Sequence, residues 1–277
     1  MANEMYALDI ETDGLVEPIP TTFTLFNGEN ALCVVRESTV EADSDAVLKQ
    51  VMDNFHDTDV EIDMTIVTDD WDSMAQKVAD LLNSFHESDK LVTYNGLAYR
   101  GGFDIPVLDY AFHQTDVQNP LTGLEHTDVY DVVNRGYVYN TVPQFPSRGG
   151  PSKSDMQAAA EMFELAEEAT GLNKSPLADL LNAELSASQM NEWAQSTGND
   201  VPTTENGSLD AVYAYLYDEE YPDPFDDSEE AVEAWETGQY ADVLTHNITD
   251  TVKTKKVYDF VDESAIPFKH YSPTRLG

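Results

Sequence analysis

The sequence predicts an α/β fold, a mixed β-sheet flanked by helices, and three observations carry that prediction. Three short strand-like segments, 5–10, 21–26 and 31–36, open the chain, rich in apolar, β-branched or aromatic residues and parted by turn chemistry. Helical periodicity then takes over, with apolar residues three and four apart. Further strand-like runs at 91–96 and 125–133 are separated by another helical segment, and this interleaving of strands and helices is the pattern of an α/β protein.

Each element has its own reason. Asp13-Gly14 and the prolines Pro18 and Pro20 end the first strand, and Asn27-Gly28-Glu29-Asn30 closes the next two into a hairpin. Residues 43–56 place Ala46, Val47, Val51, Met52 and Phe55 at helical spacing, with Asp43 or Ser44 as cap. Val60 to Val67 follows as a strand, and Trp71 to Phe85 as an amphipathic helix through Met74, Val78, Leu81, Leu82 and Phe85. Leu91 to Gly96 is a strand ending in a turn. Phe103 to His113 is a helix that carries Asp104 in its first turn and tolerates Pro106 near its start. Glu125 to Val133 reads as a strand with Asp128 at or near its end, and 155–195 as helices. A helix from Leu209 covers Val212, Tyr213 and Leu216, and 231–262 is helical with a break at Thr237-Gly238. No internal repeat and no strong boundary divides the chain, so 1–277 is expected to be a single domain.

Composition narrows the function classes. A single cysteine, Cys33, excludes an intrachain disulfide and a Cys-based zinc cluster. No apolar run approaches the ~20 residues that span a bilayer, and the N-terminus has no charged-then-apolar leader pattern. A cytoplasmic protein with no membrane partner is expected. The formal net charge of −39 admits two readings: an acidic face for a basic partner, or a surface adapted to molar salt. The acid is spread along the whole chain and only nine lysines are present, which favours the second. At ~1 M salt the Debye length is about 3 Å, so self-repulsion is largely screened. The composition resembles that of proteins of halophilic archaea or their viruses, and there the lack of a basic patch does not argue against nucleic-acid binding.

The chemistry-bearing residues start in the first strand. Asp9 and Glu11 are two apart, and in a strand such residues share a face. Asp-x-Glu alone is weak in so acidic a chain, since it recurs at Asp59/Glu61, Asp218/Glu220 and Asp227/Glu229. Only the first instance ends an apolar strand. Asp104 opens a helix after the strand closed by Asn95-Gly96. His246 and Asp250 sit one turn apart on a helix. Asp218 to Glu230 holds eight acids in thirteen residues without the central Gly of a calcium loop, and reads as a solvated acidic loop. The Pro- and Gly-rich segment 140–155, with Arg148 and Lys153, reads as a surface loop or a phosphate-contacting one.

Taken together, Leu8-Asp9-Ile10-Glu11-Thr12, Tyr94-Asn95-Gly96 with Phe103-Asp104-Ile105-Pro106, and His246-Asn247-Ile248-Thr249-Asp250 resemble the three motifs of the DEDD 3′-5′ exonucleases, which have an RNase H-like fold. Thr127-Asp128-Val129 and Ser208 to Val212 are similar to less diagnostic segments of that family. The resemblance runs from about residue 5 to 262, with insertions at about 37–65 and 140–205. It implies hydrolysis of phosphodiester bonds in DNA or RNA with a free 3′ end, using two divalent ions, Mg²⁺ or Mn²⁺, which suit hard oxygen ligands. By the resemblance, Asp9 bridges both ions, Glu11 and Asp250 serve the ion that activates water, and Asp104 helps hold the other. His246 accepts or orients the water's proton, a role suited to imidazole. Thr12, Asn95 and Phe103 would shape the pocket for the terminal nucleotide, with Tyr94, Tyr99 and Phe103 as stacking or core residues. Replication or repair proteins are the further partners implied.

One feature departs from the family. Members with a catalytic His commonly place the Asp five residues later, whereas His246 and Asp250 have the four-residue spacing of members with a catalytic Tyr. A catalytically inactive exonuclease-like protein that binds nucleic acid or a replisome component is therefore the alternative expectation, and an endonuclease on the related scaffold a third.

Overall fold

A computed structural model describes residues 4–14, 18–36, 44–67, 71–86, 89–96, 103–131, 209–217, 219–225, 228–263 and 274–275. Tyr99, the 140–155 loop and the helices expected over 155–195 lie outside the described residues. The strands are β1 (Met5–Thr12), β2 (Pro20–Phe26), β3 (Asn30–Arg36), β4 (Glu61–Val67), β5 (Lys90–Thr93), β6 (Glu125–Asp128) and β7 (Thr274–Arg275). The helices are α1 (Ser44–Asn54), α2 (Trp71–Leu82), α3 (Asp104–His113), α4 (Val129–Asp131), α5 (Leu209–Leu216), α6 (Ser228–Glu236) and α7 (Tyr240–Glu263).

The chain forms two compact units, one of 1–128, 221–255 and 273–277, the other of 129–220 and 256–272. In the first, the seven strands of the described residues make one mixed sheet in the order β4-β3-β2-β1-β5-β6-β7. β1, β2 and β3 are an antiparallel meander, β5 runs parallel to β1, and β6 runs parallel to β5. The segment 37–65, which fits the family resemblance poorly, supplies α1 and β4, and β4 pairs parallel to β3 at the sheet's edge. The strand expected over 125–133 stops at Asp128, where the backbone turns helical.

Strand alternation sorts side chains between two cores. Leu8 and Ile10 of β1, Phe23 and Leu25 of β2, and Val34 of β3 pack with Met74, Val78 and Leu82 of α2 and with Leu108 and Phe112 of α3. The intervening residues Phe26, Ala31, Cys33 and Val35 meet Val51 of α1 and Ala241, Leu244, Ile248 and Val252 of α7. Each fully buried Val, Leu, Ile, Phe or Met side chain among them contributes about 1.5–3 kcal/mol. Because Leu8 and Ile10 belong to the first core, Asp9 and Glu11 must face the side on which α7 lies.

Two turns are set by glycine. A Cβ at Gly96 would sit 2.2 Å from Thr93 Oγ1 and 2.6 Å from Thr93 Cβ, so no other residue fits the end of β5. Gly238, at φ +80, makes the break between α6 and α7 in a conformation that other residues adopt only with strain.

In the second unit, Tyr213 and Tyr217 stack with centroids 5.0 Å apart, and Tyr217 Oη donates to the Lys256 carbonyl at 2.9 Å. No helix among the described residues is long and apolar enough to cross a membrane.

His126 of β6 is 1 % exposed, with Nε2 2.9 Å from Thr93 Oγ1. Burial lowers its pKa from 6.5 to about 4. The unfolded chain therefore binds the proton first, and stability falls as pH drops from 6.5 to about 4. The full loss from this one group is about 3 kcal/mol. Urea melts at pH 7 and pH 4 in molar KCl should show the wild type losing that much more than His126→Gln; equal losses would place the acid sensitivity elsewhere.

Candidate active site

The site is built where β1, β5, α3 and α7 meet within the first unit. Asp9 and Glu11 end β1, and the β1–β2 register shifts between Glu11 and Thr12. Irregularities of this kind re-aim side chains at the end of a ladder. Thr21 Oγ1 donates to the Glu11 carbonyl at 3.0 Å and holds that turn of backbone in place.

Asp104 arrives through the Asn95-Gly96 turn. Asn95 adopts φ 59, a left-handed conformation that Asn tolerates better than most residues. Its N–H donates to Asp128 Oδ1 at 2.9 Å, and the Gly96 carbonyl accepts from Ile105 N–H at 3.1 Å. That second bond ties the start of α3 to the end of β5. It leaves Asp104, 6 % exposed, in the first helical turn, where the helix dipole favours a negative charge.

α7 supplies the opposite wall. Its residues 243–249 are all buried, although Thr245, His246, Asn247 and Thr249 are polar, so each polar group needs a partner. Asn247 Nδ2 donates to Asp9 Oδ2 at 2.6 Å, while Thr24 Oγ1 donates to Asn247 Oδ1 at 2.5 Å. Thr24 of β2 thus fixes the amide that orients Asp9. His246 Nε2 stands 3.9 Å from Glu11 Oε1 and 3.8 Å from Asp250 Oδ2, and its Nδ1 is 2.7 Å from Asp223 Oδ1.

The electrostatics match a cluster of like charges that is largely withdrawn from water. Burial, and then repulsion from Asp104 and Asp250, hold the Asp9 carboxyl well above its ordinary range. Burial followed by Asp9 does the same to Glu11, and burial followed by Glu11, Asp128 and Asp250 to Asp104. Each of the four carboxylates Asp9, Glu11, Asp104 and Asp250 is thus within electrostatic reach of others in the set. Asp223 behaves oppositely: burial disfavours its charge, but hydrogen bonds from His246 and Lys253 overcome that and lower its pKa. For His246, burial opposes the charged form, yet the Asp223 hydrogen bond and the charges of Asp250 and Glu11 push it up to about 10.

Among the described residues, Asp223, His246 and Asp250 can each offer one ligand atom to a metal ion, with those atoms within 4.8 Å of one another. Asp223 is the residue that sequence reasoning missed, because it was folded into the acidic run 218–230. A signal was available: Tyr221-Pro222-Asp223-Pro224-Phe225 is a stiff, aromatic-bracketed stretch unlike the acid on either side.

The remaining expected residues are placed as follows. Thr12 is buried, and its hydroxyl donates to the Gly14 carbonyl at 2.8 Å, inside the turn after β1. Phe103 precedes α3 and packs against the first core. Asn95 sits at the mouth of the turn described above. Compared with models of known protein families the chain matches none, and it matches no curated protein.

Proposed function

We propose that this protein is a metal-dependent 3′-5′ exonuclease of RNase H-like architecture, working on DNA or RNA in high salt. The observation that carries the reading is that Asp9, Glu11, Asp104 and Asp250, from one strand and two helices, lie within electrostatic reach of one another in a largely buried region, at the cost of mutual repulsion. A set of hard oxygen donors whose charges repel one another fits divalent cations such as Mg²⁺ or Mn²⁺. A central strand bearing two of the carboxylates, with an antiparallel meander on one side and parallel strands on the other, supports the RNase H-like part of the reading.

Two such ions, when bound, would stabilise the attacking and leaving oxygens of an in-line displacement. The chain's own residues do the rest. Asp9 is oriented by Asn247 to present its other oxygen to the cluster, and Asp104 is presented by the start of α3. Glu11 and Asp250 flank the Nε2 edge of His246, where a water is positioned for attack. With divalent ions bound at Glu11 and Asp250, the charges that raise His246 would be offset and Nε2 left free as a base. The water's oxygen bonds to phosphorus, its proton passes to Nε2, and the P–O3′ bond breaks. The products are a nucleoside 5′-monophosphate and a strand shortened by one, whose new 3′-oxygen takes a proton from solvent. The charge of −39 supports work in molar salt; the cytoplasm of a halophile, or of the host if a virus carries the gene, and replication or repair partners belong to the same proposal.

The test is release of mononucleotides from a 3′-labelled oligonucleotide, DNA and RNA in turn, in molar KCl with MnCl₂ or MgCl₂. A strand blocked at its 3′ end should stall the enzyme, and cleavage of the blocked strand would indicate an endonuclease. One observation favours a second reading: a His246 charged through its three carboxylate neighbours can itself fill the place of a cation. In that case the chain binds nucleic acid or a replisome component without turnover, and the same assay shows retention of strand with no product.

A further inference from the structure

α7 carries His246, Thr249 and Lys253 at i, i+3 and i+7, one stripe of a helix. All three hold the short segment before α6. Thr249 Oγ1 donates to the Pro222 carbonyl at 2.5 Å, Lys253 Nζ donates to Asp223 Oδ2 at 2.5 Å, and His246 Nδ1 lies 2.7 Å from Asp223 Oδ1. The Phe225 ring meets the imidazole edge-on, with centroids 5.4 Å apart. The ring is therefore fixed on its Nδ1 side by a carboxylate and on its flank by an aromatic. Its Nε2 is left 3.9 Å from Glu11 and 3.8 Å from Asp250, too long for direct hydrogen bonds and suited to one shared oxygen.

We infer that Asp223, held in place by Lys253, is a positioning residue: it accepts the Nδ1 proton of His246 and so aims Nε2 at the oxygen between Glu11 and Asp250. This rests on the nuclease reading above and deepens it. A tyrosine at the same helical position would need no such partner, because a phenol has one oxygen. An imidazole has two nitrogens, and the group bonded to one decides which of them is left to take a proton. Asp223 is what lets a histidine serve at the four-residue spacing. Asp223 is also already neutralised by the Lys253 ammonium, which argues against a role as a metal ligand.

The experiment compares Asp223→Ala, Asp223→Asn, His246→Ala and the double alanine variant in the full chain, with a 3′-labelled oligonucleotide in molar KCl. Asp223→Ala should lower kcat by about 10–100-fold, with KM and the Mn²⁺ concentration for half-activity within about twofold of wild type. Asp223→Asn, whose amide oxygen still accepts from Nδ1, should recover part of the loss. In the His246→Ala background, Asp223→Ala should lower kcat no further. A tenfold rise in the Mn²⁺ requirement would make Asp223 a ligand and overturn the inference, as would a further loss in the double variant. Nitrogen-15 spectra of histidine-labelled protein supply a readout independent of turnover. Wild-type His246 should show a strongly downfield Nδ1-bound proton that Asp223→Ala loses, and a proton on Nε2 alone in the wild type would overturn the assignment. If the wild type degrades no strand, the nuclease reading falls while these spectra still decide what Asp223 does.

Discussion

Asp9→Asn and Asp104→Asn should each lower mononucleotide release by about 10³-fold, measured in molar KCl at saturating MnCl₂. Both substitutions keep the shape of the side chain and remove its charge, so the loss reports electrostatics rather than packing. Asp9 is the sharper case. Its Oδ2 already accepts from Asn247 at 2.6 Å, leaving the other oxygen for the cluster. An amide there would meet the Asn247 amide donor-to-donor or turn its own NH₂ toward the site. Asp104 is positioned by backbone bonds at the start of α3, which the substitution leaves intact. Full activity in both variants would remove the basis for the nuclease reading.

The second large effect has the opposite sign. In the metal-free protein, Asp9→Asn, Glu11→Gln or Asp104→Asn should raise Tm at pH 7–8, because each relieves repulsion among buried carboxylates. For these acids the folded pKa lies above the unfolded one, so their contribution is most favourable below the ordinary carboxylate range and is lost as pH rises. His246, raised to about 10, acts in the same direction: its stabilisation is complete below about 6.5 and is lost as pH rises through about 10. The metal-free wild type should therefore weaken steadily from pH 6.5 upward. Divalent ions should reverse this, since a ligand at 100 times its Kd adds about 2.7 kcal/mol. For a chain of this size each kcal/mol moves Tm by about 2–4 °C. Calorimetry at fixed molar KCl, with and without MnCl₂, checks both halves. A wild type that Mn²⁺ does not stabilise, or that the neutral variants do not exceed when metal-free, would contradict a site built on mutual repulsion. The trade is the usual one at functional centres, where groups useful together are unfavourable alone.

Much of this arrangement could be read before any coordinates. The period-two pattern of β1 assigns Leu8 and Ile10 to one face and Asp9 and Glu11 to the other, and the sheet's two cores keep that division. The Asn95-Gly96 turn, the acid at the start of α3 and the break at Gly238 are local chemistry, and local chemistry is visible in a string of residues. The strand over 125–133 with Asp128 at or near its end does end at Asp128, and only its apolar tail turns helical instead, because apolar periodicity over so short a run cannot separate a strand from a helical turn. Residues 37–65 fit the family resemblance poorly, yet the helix over 43–56 and the strand Val60 to Val67 are legible there as α1 and β4; that β4 pairs parallel with β3 at the sheet's edge depends on contacts a linear pattern does not contain.

Asp223 marks the boundary between the two kinds of knowledge. By itself the sequence determined the strand carboxylates, the helix-borne His246 and Asp250, and the net charge of −39, because periodicity and composition are properties of the chain as a string. Only the tertiary structure decided that Asn247 holds Asp9, that Thr24 holds Asn247, and that one acid from a crowded run sits 2.7 Å from Nδ1 of His246. Those choices are made by burial: once α7 is packed against the sheet, every polar group on it must find a partner, and which residue answers is settled by distance in space.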